Sequence, residues 1–167
     1  MQNTKKLNKA IFLDRDGIIN FDEGYVTSLK DFRILPGVFE TVKQFQDKGY
    51  LLIIISNQGG VSRKLYKQEN VEEIHEHLLN EFQKYGIKIS EIYYCIHHPL
   101  SDSGKCICRK PDSLMLEKAI ARFNVDKSKS YFIGDKDTDM QAAEKAGVIG
   151  VQMETNASLK NVLFKIQ

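Results

Sequence analysis

Asp14 and Asp16 stand one residue apart at the end of a short apolar run, Ala10-Ile11-Phe12-Leu13, and Gly17 follows them. Two carboxylates crowded at one turn repel each other, and a hard divalent cation such as Mg²⁺ relieves that repulsion. If the extended geometry of the run persists through them, both side chains point the same way. Tyr131-Phe132-Ile133-Gly134-Asp135 repeats the pattern late in the chain, with Asp139 four residues on. Between these stretches lie the loop Ser56-Asn57-Gln58-Gly59-Gly60, rich in hydroxyl, amide and backbone donors, and Lys110. Acids around a cation, with donors and an ammonium beside them, make a site for a phosphate group. Once phosphate charge is neutralised, one carboxylate can attack phosphorus; a second can protonate the leaving alkoxide and then activate water. Taken singly, Ser56 reads as an ordinary loop hydroxyl and Lys110 as a solvated lysine. Their joint order along the chain favours an enzyme.

A second constellation, Cys95-x-His97-x8-Cys106-x-Cys108, uses all three cysteines of the chain within one short segment. An odd, crowded set is a poor disulfide framework and points to metal binding. Three thiolates and an imidazole satisfy tetrahedral Zn²⁺, and a site closed by four protein ligands is structural. His98 adjoins His97, and spacing alone allows either as the fourth ligand. The ion would stiffen a loop that leads directly into Arg109-Lys110. His75 and His77 fall on an amphipathic segment and are expected to be solvated.

The elements that must position these groups alternate along the chain. After the first apolar strand, residues 18–35 read as a polar excursion carrying Gly24 and Tyr25. Pro36-Gly37 opens a helix to about Lys48, with Val38, Val42 and Phe45 at helical spacing. Leu51 to Ile55 is a strand apolar enough to be buried on both faces. A longer helix over roughly Lys67–Tyr85 carries Val71, Ile74, Leu78, Leu79 and Phe82 on one stripe. Ile92–Ile96 reads as a third strand, Ser113 as the cap of a helix through Phe123, and Tyr131–Gly134 as a fourth strand. Met140–Ala146, Val148–Val151 and Ala157–Ile166 read as helix, strand and terminal helix. Strand and helix alternating in this way predict an α/β fold with a doubly wound, Rossmann-like parallel sheet, and one rim carrying Asp14, Ser56, Cys95 and Asp135. No linker or repeat divides residues 1–167, so one domain is expected. The insertions after Asp16 and after Ser56 are too short for a separately folded lid.

The chain has 167 residues, 42% of them hydrophobic and 28% charged, with a net charge of +2. That balance gives no field for nucleic acid or an anionic membrane surface, so neither partner is expected. The polar N-terminal stretch before Ala10 does not read as a signal peptide, and a cytoplasmic monomer is the default expectation.

The set Asp14-x-Asp16-Gly17, Ser56, Lys110 and Gly134-Asp135-x-x-x-Asp139 resembles the motifs of haloacid dehalogenase (HAD) superfamily phosphatases, in order and across essentially the whole chain. The resemblance implies Asp14 as nucleophile and Asp16 as general acid/base. It implies Ser56 as a donor to phosphoryl oxygens and Lys110 as charge neutraliser. Mg²⁺ would be held by Asp14, Asp135 and the Asp16 carbonyl, with Asp139 supporting them. Adding the cysteine loop, Gly24-Tyr25-Val26, Ser56-Asn57-Gln58 and Cys108-Arg109-Lys110-Pro111, the chain is similar to the D-glycero-D-manno-heptose 1,7-bisphosphate 7-phosphatase family, which serves lipopolysaccharide precursor synthesis. The histidinol-phosphate phosphatases of histidine biosynthesis share the zinc loop and are the alternative. The resemblance favours His97 as zinc ligand and implies a small phosphorylated sugar as substrate. It puts Asp22, Tyr25, Asn57, Gln58, Arg109 and Lys136 around that sugar; Arg63 is a further candidate contact, although taken singly it reads as a solvated arginine. Arg109 and Lys136 would supply cations for a distal phosphate. Where the family usually carries Asn-Gln-Ser-Gly, this chain has Asn57-Gln58-Gly59-Gly60, losing a hydroxyl donor beside the substrate.

Overall fold

The computed structural model describes residues 6–102 and 106–166. Part of the polar N-terminal stretch and of the cysteine loop therefore lies outside the described residues. β1 (Ala10–Leu13) is the centre of a five-stranded sheet ordered β3-β2-β1-β4-β5. Its partners are β2 (Leu51–Asn57), β3 (Ile89–Cys95), β4 (Tyr131–Gly134) and β5 (Ile149–Gln152), and all pairings are parallel. All four β1 residues are fully buried, as a strand covered on both faces requires.

Alternation along β1 sends its side chains into two cores. Ile11 and Leu13 pack with Val42 and Phe45 of α1 (Val38–Asp47) and with Ile74, Leu78 and Phe82 of α2 (Gln68–Lys84). Ala10 and Phe12 pack with Leu116 and Ala119 of α3 (Leu114–Phe123) and with Ala142, Ala143 and Ala146 of α4 (Asp137–Ala146). Helices on both faces make the sheet doubly wound, and the strand ends after Leu13, Asn57, Cys95, Gly134 and Gln152 gather on one rim. Between β1 and α1 the chain is irregular, and between β2 and β3 it carries only α2, so neither stretch builds a lid domain.

Several local expectations are corrected. The excursion 18–35 is not a solvated loop: Ile18 and Ile19 are fully buried, and Val26, Phe32 and Leu35 join them in the first core. Leu79 is 40% exposed, because α2 turns its stripe through Val71, Ile74, His75, Leu78 and Phe82 instead. β3 begins at Ile89; its polar Ser90 and Glu91 are admitted because this is an edge strand with half-buried faces. α4 starts three residues before Met140, since Asp139 Oδ2 accepts the Lys136 backbone N–H (3.1 Å) and Asp137 favours a helix N-terminus. β5 runs one residue later than expected. Ser113 does not cap α3 through its side chain; its hydroxyl bonds the Glu117 carboxylate at 2.5 Å. The last element is a 3-10 helix (Leu159–Lys165), whose buried residues Leu159 and Val162 recur at its three-residue period.

Candidate active site

Asp14 leaves the tip of β1 and is 5% exposed. Lys110, arriving on the loop after the cysteines, is 3% exposed and sets its Nζ 2.8 Å from Asp14 Oδ1 and 2.7 Å from Asp139 Oδ1. The same ammonium donates to the Ile55 carbonyl (3.0 Å) at the end of β2. Burial pushes the Asp14 carboxyl up to about 7, against the pull of Lys110 and with the help of Asp139. Burial also works against the charge on Lys110, but Asp14 and Asp139 outweigh it and hold that charge firmly. A buried cation thus bridges two carboxylates at the strand tips.

Asp135, at the tip of β4, completes the cluster: carboxylate oxygens of Asp14, Asp135 and Asp139 lie within 4.8 Å of one another. Thr155 Oγ1 donates to Asp135 Oδ2 (2.7 Å), while Asp135 Oδ1 is buried and has no hydrogen-bond partner among the described residues. An orphaned carboxylate oxygen beside two more acids fits a hard divalent cation. Asp139 has both oxygens engaged, by Lys110 and by the Lys136 N–H, which suits support of the site more than direct ligation. Gly17 is required here: its φ is +86°, and a Cβ would stand 2.6 Å from Asp135 Oδ2.

The extended run ends at Leu13, and Asp16, two residues beyond Asp14 in chain order, lines the same cleft as Asp14. Its carboxylate receives Arg15 Nη2 at 2.9 and 3.0 Å, Asn20 Nδ2 at 2.9 Å and Gln58 Nε2 at 2.8 Å. Burial raises its pKa, but the Arg15 charge and these bonds outweigh burial and hold Asp16 below the usual carboxylate range. Gln58 Oε1 in turn accepts from Arg15 and from the Tyr66 hydroxyl, both at 3.1 Å. Ser56 is fully enclosed beneath, where its Oγ accepts from Gln58 Nε2 (2.7 Å) rather than facing the cleft. Asn57 binds both the backbone N–H and the carbonyl of Lys110 at 3.1 Å, so it orients the lysine.

His75 corrects the expectation of a solvated residue, while His77 is exposed as expected. It is 6% exposed, and its Nε2 lies 3.2 Å from Arg15 Nη1. Arginine can only donate, so the ring accepts on Nε2 and carries its proton on Nδ1. Burial, then the Arg15 charge, push the His75 pKa down to about 3. The unfolded chain, with an ordinary value of about 6.5, therefore binds more protons than the fold between these limits. Stability from His75 is complete above pH 6.5 and is lost on acidification by up to about 1.4 kcal/mol per pH unit. His75→Gln keeps an acceptor without a titrating ring and is expected to flatten the acid limb between pH 6.5 and 4, measured by denaturant unfolding. An unchanged slope would assign the acid loss to other groups.

Cys95, His97, Cys106 and Cys108 bring their Sγ and Nδ1 atoms within 4.8 Å of one another. Neighbouring Sγ atoms are 2.9–3.4 Å apart and His97 Nδ1 is 3.4 Å from Cys108 Sγ. A tetrahedron with Zn–S of about 2.3 Å has edges of about 3.8 Å, so the sulfur atoms need only move apart by less than about 1 Å around an ion. Burial pushes the Cys95 thiol up, which leaves it protonated unless a cation displaces the proton. His98 is outside the cluster; its Nδ1 accepts from the Leu100 N–H at 3.2 Å. Arg109 Nη1 donates to the His97 carbonyl (3.0 Å), tying the loop to the rim. Gly59 leaves that guanidinium its room: a Cβ there would meet Nη1 at 2.8 Å.

A cleft of about 720 Å³ opens above these groups, lined by Asp14, Asp16, Asp22, Tyr25, Gln58, Arg109, Lys110 and Lys136 among others. Lys136 is exposed and pairs with Asp22 at 2.9 Å. Arg63 is not among the lining residues and donates to the Tyr25 hydroxyl (2.6 Å). Sequence reading misplaced His75 and missed Tyr66 and Thr155. The parallel order offered a signal for Thr155, since the end of β5 must share the rim.

A buried acid and lysine at parallel strand tips, beside an acidic cluster with the geometry to hold a cation, define a phosphatase of the HAD type. Residues 107–165 match the HAD-hydrolase-like family model. The chain is 44% identical to the D-glycero-beta-D-manno-heptose-1,7-bisphosphate 7-phosphatase of Haemophilus ducreyi, over 84% of this chain and 79% of that one. It is also 44% identical to the D-glycero-alpha-D-manno-heptose-1,7-bisphosphate 7-phosphatase of Campylobacter jejuni, over 84% and 78%. The crystal structure of the D,D-heptose 1,7-bisphosphate phosphatase of B. bronchiseptica, complexed with magnesium and phosphate, superposes with a TM-score of 0.81. It is 30% identical, with 94% of this chain and 86% of that one covered. The chain belongs to the D-glycero-D-manno-heptose 1,7-bisphosphate 7-phosphatase family.

Proposed function

We propose that this protein hydrolyses the 7-phosphate of D-glycero-D-manno-heptose 1,7-bisphosphate through an aspartyl phosphate on Asp14, as a cytoplasmic monomer supplying a lipopolysaccharide precursor. The observation that carries this reading is the buried Asp14–Lys110–Asp139 bridge at the floor of an open cleft. Asp14, Asp135 and the Asp16 carbonyl would hold Mg²⁺, which neutralises phosphate charge when bound. Lys110 favours the ionised form of Asp14 against burial and shields the approaching phosphoryl oxygens. Asp14 attacks phosphorus, and the bond to the sugar oxygen breaks. Asp16 gives that oxygen a proton, then removes one from the water that cleaves the aspartyl phosphate. The grip of Arg15 keeps Asp16 in the water-activating form, and the arriving dianion raises its affinity for a proton. Gln58, backed by Ser56, and Asn57 hold Asp16 and Lys110 in register. Lys136 and Arg109 meet the distal phosphate.

Phosphate release from the two heptose bisphosphate anomers, other sugar phosphates and histidinol phosphate tests the substrate. The highest kcat/KM is expected for one heptose anomer; a preference for histidinol phosphate would overturn the reading. The relatives named for the alpha and beta anomers are equally similar to this chain, so both anomers belong in the panel.

Zn²⁺ at Cys95, His97, Cys106 and Cys108 would act mechanically, fixing the segment that delivers Arg109 and Lys110. Metal analysis is expected to find about one zinc per chain, as four protein ligands imply. Cys108→Ser should lose that zinc, expose residues 96–111 to protease and lower kcat. A variant with intact activity and no zinc would remove this role.

A further inference from the structure

Asn156, just beyond β5, lies outside the machinery described above, yet it joins three segments of the rim. Its Oδ1 accepts the Asp22 backbone N–H at 2.7 Å, its Nδ2 donates to the Asp22 carbonyl at 3.0 Å, and its own backbone N–H donates to the Gly17 carbonyl at 2.9 Å. The two side-chain bonds link residues 134 positions apart. Asn156 has a φ of 63°, a left-handed conformation that asparagine tolerates better than most residues. Its neighbour Thr155 holds Asp135, so one short turn touches both the acid cluster and the cleft wall.

What Asn156 grips is the base of one arm of the cleft. The Asp22 carboxylate takes the Lys136 ammonium at 2.9 Å and the Gly24 N–H at 3.1 Å, and Asp22, Gly24 and Lys136 all line the cavity. Residues 21–33 have no helix or strand of their own, so side-chain clasps of this kind must set their position.

We infer that Asn156 is a positioning residue for substrate selection: by clasping the Asp22 backbone it fixes the Asp22–Lys136 arm at the distance the distal part of a bisphosphorylated sugar requires. This rests on the proposed function, in which Lys136 meets the distal phosphate. The clasp leaves Asp14, Lys110 and Asp135 untouched. Its loss therefore separates binding of the remote group from chemistry at phosphorus.

Asn156→Gly removes both side-chain bonds while glycine keeps the left-handed backbone without strain. With heptose 1,7-bisphosphate, KM is expected to rise about tenfold and kcat to stay within about twofold. With p-nitrophenyl phosphate, which has no distal phosphate, kcat/KM is expected to be unchanged. Asn156→Asp keeps an acceptor for the Asp22 N–H and should give an intermediate KM; it also carries the test if the glycine variant does not fold. Equal losses on both substrates, or no loss on either, would overturn the inference. Lys136→Met separates the two levels. If it leaves KM for the bisphosphate unchanged, the subsite reading itself fails; if it raises KM while Asn156→Gly does not, only the role of Asn156 fails.

Discussion

Asp14→Asn is expected to lower kcat/KM by about 10⁴-fold or more, because it removes the nucleophile of a stepwise reaction. The fold should survive. Lys110 keeps Asp139 as a partner at 2.7 Å, and asparagine preserves the shape of the side chain. Burial pushes the Asp14 pKa up to about 7, so its carboxyl is expensive to keep charged there, and an amide avoids that cost. Phosphate release from the heptose bisphosphate, measured beside thermal unfolding, separates the two effects. Turnover within tenfold of the parent enzyme would remove the covalent route. A collapse of stability would mean that Asp14 is chiefly structural.

Lys110→Met is expected to cost both function and stability. The ammonium is buried between two carboxylates, and methionine fills its volume without charge. Breaking a buried pair by removing one partner typically costs about 3–5 kcal/mol. Here Asp14 and Asp139 would be left facing each other with no protein cation between them. Asp14, already pushed up by burial, would lose the pull of Lys110 and hold its proton to higher pH, so the deficit should grow as pH rises and the unfolded chain releases that proton. Urea unfolding at pH 5 and pH 8 measures this directly. A deficit below about 1 kcal/mol at both pH values would show that water already screens the bridge. Turnover should be lost at either pH, since the ammonium paired with the nucleophile is gone.

The order of elements, the doubly wound class and the acids at the strand tips were all legible in the sequence. Ala10–Leu13, Leu51–Ile55 and Tyr131–Gly134 are apolar without alternation, a local signal of strands buried on both faces. An acid or hydroxyl ending such a run must emerge at the rim. The cysteine cluster was legible for the same local reason: its ligands lie within 14 consecutive positions, from Cys95 to Cys108.

Only the tertiary structure decided which partner each polar group takes. His75 reads as a solvated residue on a helix stripe until α2 is laid against the turn after β1, where Arg15 needs an acceptor. Ser56 and Gln58 stand two residues apart in one polar loop, but the Arg15–Asp16 pair draws Gln58 inward and leaves Ser56 beneath it. Asn156 and Asp22 meet because β5 is placed beside β4, bringing distant turns to one rim. Periodicity is a property of neighbouring residues and survives in one dimension. Hydrogen-bond partners are chosen by the sheet order and by the cost of burying an unpaired group, and both exist only once the chain is folded.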